Sequence, residues 1–493
     1  MPSASAPRFA AIDFGASSGR VLTGALDGGR LTLAEEARFA NRPLRLPSGL
    51  HWNLMDLFAQ ALDAVRAAGP LSGVAIDTWG VDYGLLDDHH TLLGLPYNYR
   101  DGRSDAMVQR AFARVGRAEQ YATTGIQTLP FNTVFQLLAD EGGAALSAAS
   151  RLALIPDLLA LWLSGELANE RTNASTSGLL DARTGDWAYD LIDGLGLPKR
   201  LFTELVEPGT LLGPALPAHG LGALPVYTAA SHDTASAFVA APLVDRDGCA
   251  ILSSGTWSLL GLELDAPVLT PAAHDANLTN ERGVDGTTRL LKNVMGLWLE
   301  QQCAATWGTS DHAGLFAAAA AAPAEDAPLF DPDDPAFLPP GDMPARIAAA
   351  CAATGQDAPA GRGATIRAIV ESLACKYRLV LELLSAVSGR EVTRIHVIGG
   401  GARVELLCRR TADITGREVC AGPVEATAMG NVLIQARAAG ELSSLAEIRA
   451  VAAASADCVT YEPSGDRAAA DATYHRFLDL TPTSKLMQKD QPL

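Results

Sequence analysis

The run Ser231-His232-Asp233-Thr234 places an imidazole, a carboxylate and two hydroxyls in four consecutive positions. Residues 224–229 before it are apolar and predict a strand. Polar groups at a strand end sit at the mouth of an open α/β sheet, where ligands bind. The run therefore sets a carboxylate and hydrogen-bond donors at such a ligand-binding edge. The structural alternative is a helix N-cap by Ser231 or Asp233.

A second group lies near the start. Asp13 precedes Gly15-Ala16-Ser17-Ser18-Gly19 and Arg20. Small residues let backbone N–H groups approach phosphate oxygens, and Ser hydroxyls add donors. Asp13 is placed to hold a water of a Mg²⁺ ion. An ordinary surface hairpin would use the same residues. Ser253-Ser254-Gly255-Thr256 repeats the pattern in the second half. Two such hairpins suggest two walls around one polyphosphate. Asp77-Thr78-Trp79-Gly80-Val81-Asp82-Tyr83 joins carboxylates, an aromatic plane and Gly, a mixture that suits a sugar or, alternatively, a core Trp beside turn residues.

Several chemistries are excluded. Gly15–Gly19 matches the hydrolase elbow, but that motif needs a helix after Ser, and residues 20–26 read as a strand. No G-x-x-x-x-G-K-[ST] occurs, and Lys is found only at 199, 292, 376, 485 and 489, so there is no P-loop. Gly399-Gly400-Gly401 follows a strand and can host nucleotide, yet it lacks dinucleotide spacing. The histidines form no metal-binding cluster, and His89-His90 reads as a solvated loop.

The elements that must position these groups recur twice. Strands are expected at residues 9–13, 20–26, 31–35 and 71–77, with a helix at 54–67. In the second half strands are expected at 248–253, 257–264 and 394–398, with a helix at 365–388. Each half holds strand, polar turn, strand, then helix, then strand and Gly turn. The pattern reads as an internal duplication of one α/β domain, with domains at 1–244 and 245–482. Residues 326–344 are rich in Pro and Asp and read as an ordered insertion. Residues 483–493 read as a flexible tail.

Composition sets outer limits. A chain of 493 residues suits two domains. A formal charge of −18 disfavours nucleic acid and anionic membrane as partners. No signal core or membrane-length apolar run is present. Seven scattered cysteines fit neither a zinc site nor a disulfide framework, so most are expected to be core thiols in a reducing cytoplasm.

Taken together the motifs resemble the FGGY family of carbohydrate kinases. The resemblance runs over about residues 8–460 and includes 12–20, 77–82, 96–103, 125–133, 230–236, 252–259, 277–281, 291–298, 421–427 and 430–431. It is greatest to the branch that phosphorylates L-rhamnulose at C1, in rhamnose breakdown. It implies two ribonuclease-H/actin-like ATPase domains flanking a deep cleft, with a sugar, ATP and Mg²⁺ as small-molecule partners. Whether the chain is a monomer or a homodimer stays open.

The resemblance also implies roles. Asp233 is the catalytic base and a second candidate, beside Asp13, for contacting Mg²⁺. His232, Thr234, Gly80 through its backbone and Asn293 face the sugar, and Asp77 and Trp79 join them on the reading of their own motif. Ala16, Ser17, Ser18, Gly19 and Arg20 form one phosphate hairpin, Thr256 belongs to the other, and Gln301 and Gly400 face the nucleotide. Trp79, Tyr83, Leu129 and Phe131 are candidates for an apolar wall against a sugar methyl. Val404 departs from the family pattern, in which Asn is usual. Alternatives are a kinase of L-fuculose or another deoxyketose, and a non-catalytic actin-like sensor of ATP or sugar.

Overall fold

The computed structural model describes residues 6–243, 246–325 and 327–481. The expected linking residues 244 and 245 and the tail 483–493 lie outside them. The chain folds as two compact units. One holds residues 1–242, 263–290 and 425–456, and the other holds 243–262, 291–424 and 457–493. The segments 263–290 and 425–456 therefore belong with the first unit, although a linear division at 244 and 245 would assign them to the second half.

The first sheet begins with Arg8–Phe14, buried along its whole length after Arg8. Ser18–Asp27 and Arg30–Ala40 fold back on it as antiparallel neighbours. Gly28 and Gly29 make that turn with φ of 56° and 76°, a left-handed geometry that glycine adopts without penalty. Strand order from this edge is Arg30–Ala40, Ser18–Asp27, Arg8–Phe14, Gly73–Thr78, Pro225–His232, Leu211–Pro214. Arg8–Phe14, Gly73–Thr78 and Pro225–His232 run parallel. Their carboxyl ends thus share one edge.

The expected strand at 224–229 runs on to His232, and Asp233 opens the helix Asp233–Val239. His232 holds the N-cap position of that helix, with no side-chain cap bond. The N-cap alternative for Ser231 or Asp233 is therefore not what the chain does. The residues after Ser17 enter a strand, not a helix, which removes the hydrolase elbow.

The second sheet has seven strands and repeats the order after its edge strand Thr279–Arg282. Thr288–Met295, Trp257–Leu264, Cys249–Ser254, Arg394–Ile398, Glu418–Ala421 and Val459–Tyr461 follow one another. Cys249–Ser254 is antiparallel to Trp257–Leu264 and parallel to Arg394–Ile398, which is parallel to Glu418–Ala421. In both sheets an antiparallel hairpin is followed by three strands built from later parts of the chain, and in the second sheet Thr288–Met295 and Thr279–Arg282 extend its other side. Helix Gly361–Ser388 covers the expected 365–388 and stops at Gly389, φ 70°. In the 327–344 part of the insertion, Asp331 and Asp333 grip the buried Lys376 Nζ at 2.7 and 2.9 Å. A buried ammonium needs such paired acceptors.

Helix Ala426–Ala438 packs within the first unit. Its Gln435 Nε2 donates to Ala10 O at 2.9 Å, and a Cβ on Gly430 would lie 1.9 Å from Ser236 O. Only glycine permits that approach. Cys249, Cys303, Cys351, Cys375 and Cys408 are buried, whereas Cys458 is exposed. Among the described residues no helix is long and apolar enough to cross a membrane.

Candidate active site

In the first unit, parallel pairing sets Asp13 opposite Asp77, and antiparallel pairing sets Asp13 opposite Arg20. Arg20 Nε donates to Asp13 Oδ2 at 2.8 Å, and Arg20 also pairs with Glu425 at the head of helix Ala426–Ala438. Burial alone would lower the Arg20 pKa, but Asp13 and Glu425 more than offset it and the pKa rises. Its charge is thus shared between two carboxylates of the same unit. Ala16, Ser17, Ser18 and Gly19 form the hairpin tip between Phe14 and Arg20, where Gly15 N–H donates to Ser18 O at 2.9 Å.

Asp77 is fully buried, and Asn431 Nδ2 donates to its Oδ2 at 2.6 Å. Burial, then Asp13 and Asp233, push its carboxyl well above the usual range against the pull of Asn431 and Arg20. Its side chain is closed off from solvent in this structure. Trp79 is likewise committed. Its ring stacks 3.9 Å from Trp52, and its Nε1 donates to Asp82 Oδ2 at 3.1 Å. Asp82 also accepts from Trp52 Nε1 at 2.6 Å, Tyr99 N at 3.1 Å and Gln136 Nε2 at 2.7 Å. Burial still lifts its pKa to about 6 against those four bonds. Trp79 and Asp82 are both buried, at 5% and 1% exposure.

Gly80 and Val81 lie between these groups. A Cβ on Gly80 would meet Thr176 Oγ1 at 2.8 Å, so the backbone passes close to that hydroxyl. Val81 has φ 70°, a strained value for a β-branched residue. Thr176 Oγ1 accepts from Val81 N at 3.0 Å, and Thr133 Oγ1 donates to Val81 O at 2.6 Å. Of the expected apolar wall, Tyr83 packs in the hydrophobic core, and its hydroxyl donates to Asp140 Oδ2 at 2.5 Å. Phe131 packs 5.3 Å from Tyr99, and Leu129 N donates to Asn132 Oδ1 at 2.8 Å.

Asp233 differs from the other two strand-end carboxylates. Its side chain keeps 30% of its surface exposed, against 6% for Asp13 and none for Asp77. Thr234 Oγ1 donates to its Oδ1 at 3.0 Å. Desolvation pushes its carboxyl up, a charged His232 would pull it down, and Asp13 adds to the upward push. His232 Nε2 lies 3.5 Å from Asp233 Oδ1, and its Nδ1 faces Arg289 Nη2 at 3.1 Å. Just before, Ser231 donates through N and Oγ to Glu170 Oε2 at 2.9 and 2.8 Å. Glu170 also caps Arg171–Ala174. Glu170, Thr176 and Arg289 escaped the sequence reading, and Glu281, Glu425 and Asn431 lay in family-like stretches without an assigned role. The small polar run 172–178 was the available signal, being unusual between apolar segments.

In the second unit, Ser254 pairs with Ser258 across the hairpin, and Thr256 sits in its turn. Thr256 O accepts from Trp298 N at 3.1 Å, which ties the turn to the head of helix Trp298–Thr306, and Thr256 Oγ1 lies 3.4 Å from Gln301 Oε1. A Cβ on Gly401 would lie 2.0 Å from Ser254 Oγ, whereas one on Gly400 would meet nothing within 4 Å. Gly401 is therefore a packing glycine, and Gly400 is the open one. Asn293 is half-buried on Thr288–Met295. Val404 is a buried N-cap of helix Glu405–Thr415 and makes no side-chain cap bond.

Residues 9–240 match the N-terminal domain of the FGGY family of carbohydrate kinases, and residues 250–439 match the C-terminal domain. The chain belongs to the FGGY family of carbohydrate kinases. It is a sugar kinase with the family's two ribonuclease-H/actin-like domains, as the sequence led us to expect. A rhamnulokinase of Bacteroides thetaiotaomicron is 42% identical over 479 residues, covering 95% of this chain and 98% of that protein. A rhamnulokinase of Klebsiella pneumoniae is 41% identical, covering 92% and 94%. Solved kinase structures share the fold. Gluconate kinase from Lactobacillus acidophilus superposes with a TM-score of 0.79 at 17% identity, covering 98% of this chain and all of that one. Plasmodium falciparum glycerol kinase with ADP gives 0.73 at 14% identity, covering 99% of each.

Proposed function

We propose that this FGGY kinase transfers the γ-phosphoryl group of ATP to the C1 hydroxyl of L-rhamnulose, giving L-rhamnulose 1-phosphate and ADP, with Asp233 as the base. The observation that carries the role of Asp233 is its exposure. Of three carboxylates at adjacent strand ends, it alone presents a substantial surface to a ligand. The likeness of the whole chain to two rhamnulokinases supports the choice of sugar.

Phosphoryl transfer has a loose transition state, so positioning and charge stabilisation dominate. Asp233 accepts a hydrogen bond from the attacking hydroxyl and takes its proton late, as the new O–P bond forms. Desolvation strengthens it for that task. His232 and Thr234 lie beside it, and the Gly80 backbone approaches the same sugar. Asp77 and Trp79 support the site from within. Within the first unit, Ala16, Ser17, Ser18, Gly19 and Arg20 serve the phosphates; within the second, Thr256, Gln301 and Gly400 serve the nucleotide and Asn293 the sugar.

Among the described residues no cluster of three or more ligating side chains could hold a bare metal ion. Asp13 and Asp233 instead suit Mg²⁺ that arrives on the nucleotide and keeps its waters. When bound, it neutralises phosphate charge. A panel of L-rhamnulose, L-fuculose, other ketoses and no sugar, read by ADP release, tests the proposal. The highest kcat/KM is expected for L-rhamnulose. A higher value for another ketose would reassign the substrate, and equal ADP release without sugar would refute the kinase reading.

A further inference from the structure

Arg289 is fully buried and held on several sides. Its Nε donates to Arg282 O at 3.0 Å, its Nη2 lies 3.2 Å from Glu281 Oε2, and its guanidinium sits over the Phe238 ring at 5.8 Å. The same Nη2 meets His232 Nδ1 at 3.1 Å. A guanidinium has donors only and does not lose its proton. The contact therefore requires a lone pair on Nδ1, which puts the ring proton on Nε2.

Glu281 Oε2 also faces Nδ1, at 3.4 Å. It would favour the opposite tautomer, with Nδ1–H donating to it. That tautomer would set Nδ1–H head-on against the Arg289 N–H at the shorter distance, so the arginine decides. On the far side Nε2 lies 3.5 Å from Asp233 Oδ1, too long for a good hydrogen bond. An Nε2–H would lie on the Asp233 side of the ring.

We propose that Arg289 is a positioning residue that fixes the tautomer and orientation of His232, so that Nε2–H is presented beside Asp233. Its consequence for turnover rests on the reading of Asp233 as the base, whereas the tautomer does not. Isotope-labelled histidine NMR on the full chain near neutral pH reads it directly, with the His232 signal assigned by its loss in His232→Asn. The wild type is expected to show the Nε2–H pattern, Arg289→Met a mixed pattern, and Arg289→Lys, which keeps a donor, a pattern closer to wild type. Arg289→Met is also expected to lower kcat by about 10²-fold with little change in sugar KM.

An Nδ1–H or doubly protonated pattern in the wild type would overturn the proposal. So would an unchanged pattern in Arg289→Met. Should that variant not fold, the wild-type spectrum and Arg289→Lys still decide, since a Lys variant locked in the Nδ1–H form would contradict it. Near-normal turnover in Asp233→Asn would remove the base assignment and leave the tautomer result standing.

Discussion

Asn431 donates from Nδ2 to Asp77 Oδ2 at 2.6 Å, joining two fully buried residues 354 positions apart in the chain. The bond opposes the burial that raises the Asp77 carboxyl. Asn431→Ala should remove it and cost about 1–3 kcal/mol. The folded pKa of Asp77 already exceeds its unfolded value and would rise further. Such a group binds more protons folded than unfolded, so its contribution falls as pH rises. The deficit of the variant against wild type should therefore widen toward alkaline pH in urea titrations. A deficit that narrows would refute this account.

One residue earlier, Gly430 allows helix Ala426–Ala438 to touch the Ser236 carbonyl. In Gly430→Ala the new methyl meets backbone that cannot rotate away. The helix must shift, at a cost of about 1–3 kcal/mol despite the better helix propensity of Ala. Thermal unfolding checks the sign. A rise in Tm would show that the contact is looser than it looks.

The catalytic assignment gives a kinetic expectation. Asp233→Asn keeps the shape and the neighbouring Thr234, but cannot take a proton. kcat should fall about 10²–10⁴-fold while sugar affinity by calorimetry stays within a few-fold. Turnover close to wild type would exclude Asp233 as the base.

Asp82 makes a distinct pH prediction. Its carboxyl rises from 3.8 to about 6 on folding. The neutral form is favoured in the fold, so this contribution is fully present below the unfolded pKa and is lost as pH rises through about 6. The swing is on the order of 3 kcal/mol at about 1.4 kcal/mol per unit. Asp82→Asn should be less stable overall, because an amide N–H then faces the Gln136 donor. Its stability should also be flatter across this interval, as urea midpoints measured at several pH values would reveal.

Val404 tests a structural reading of the family departure. As an N-cap without a side-chain acceptor it leaves first-turn N–H groups of Glu405–Thr415 unserved. Val404→Thr keeps the branched shape and adds an oxygen. A gain of about 0.5–1 kcal/mol is expected, with ATP KM unchanged if capping is the whole effect. A changed ATP KM would move Val404 into nucleotide binding.

Much of this was legible in the chain itself. Local patterns marked the helix Leu54–Ala67 and the strands Trp257–Leu264 and Arg394–Ile398 to the residue, because apolar periodicity and Gly turns are local signals. Order of motifs gave the duplicated α/β plan and the family, and pointed to Asp233 as the proposed base. Tertiary structure decided what each polar residue faces. It turned Asp77, Trp79 and Tyr83 inward, brought Glu425 and Asn431 to the first sheet, and set Arg289 on His232. Residue type records what a side chain can do. Whether a carboxylate meets solvent, an amide or a guanidinium depends on contacts hundreds of residues apart, and no local pattern encodes them.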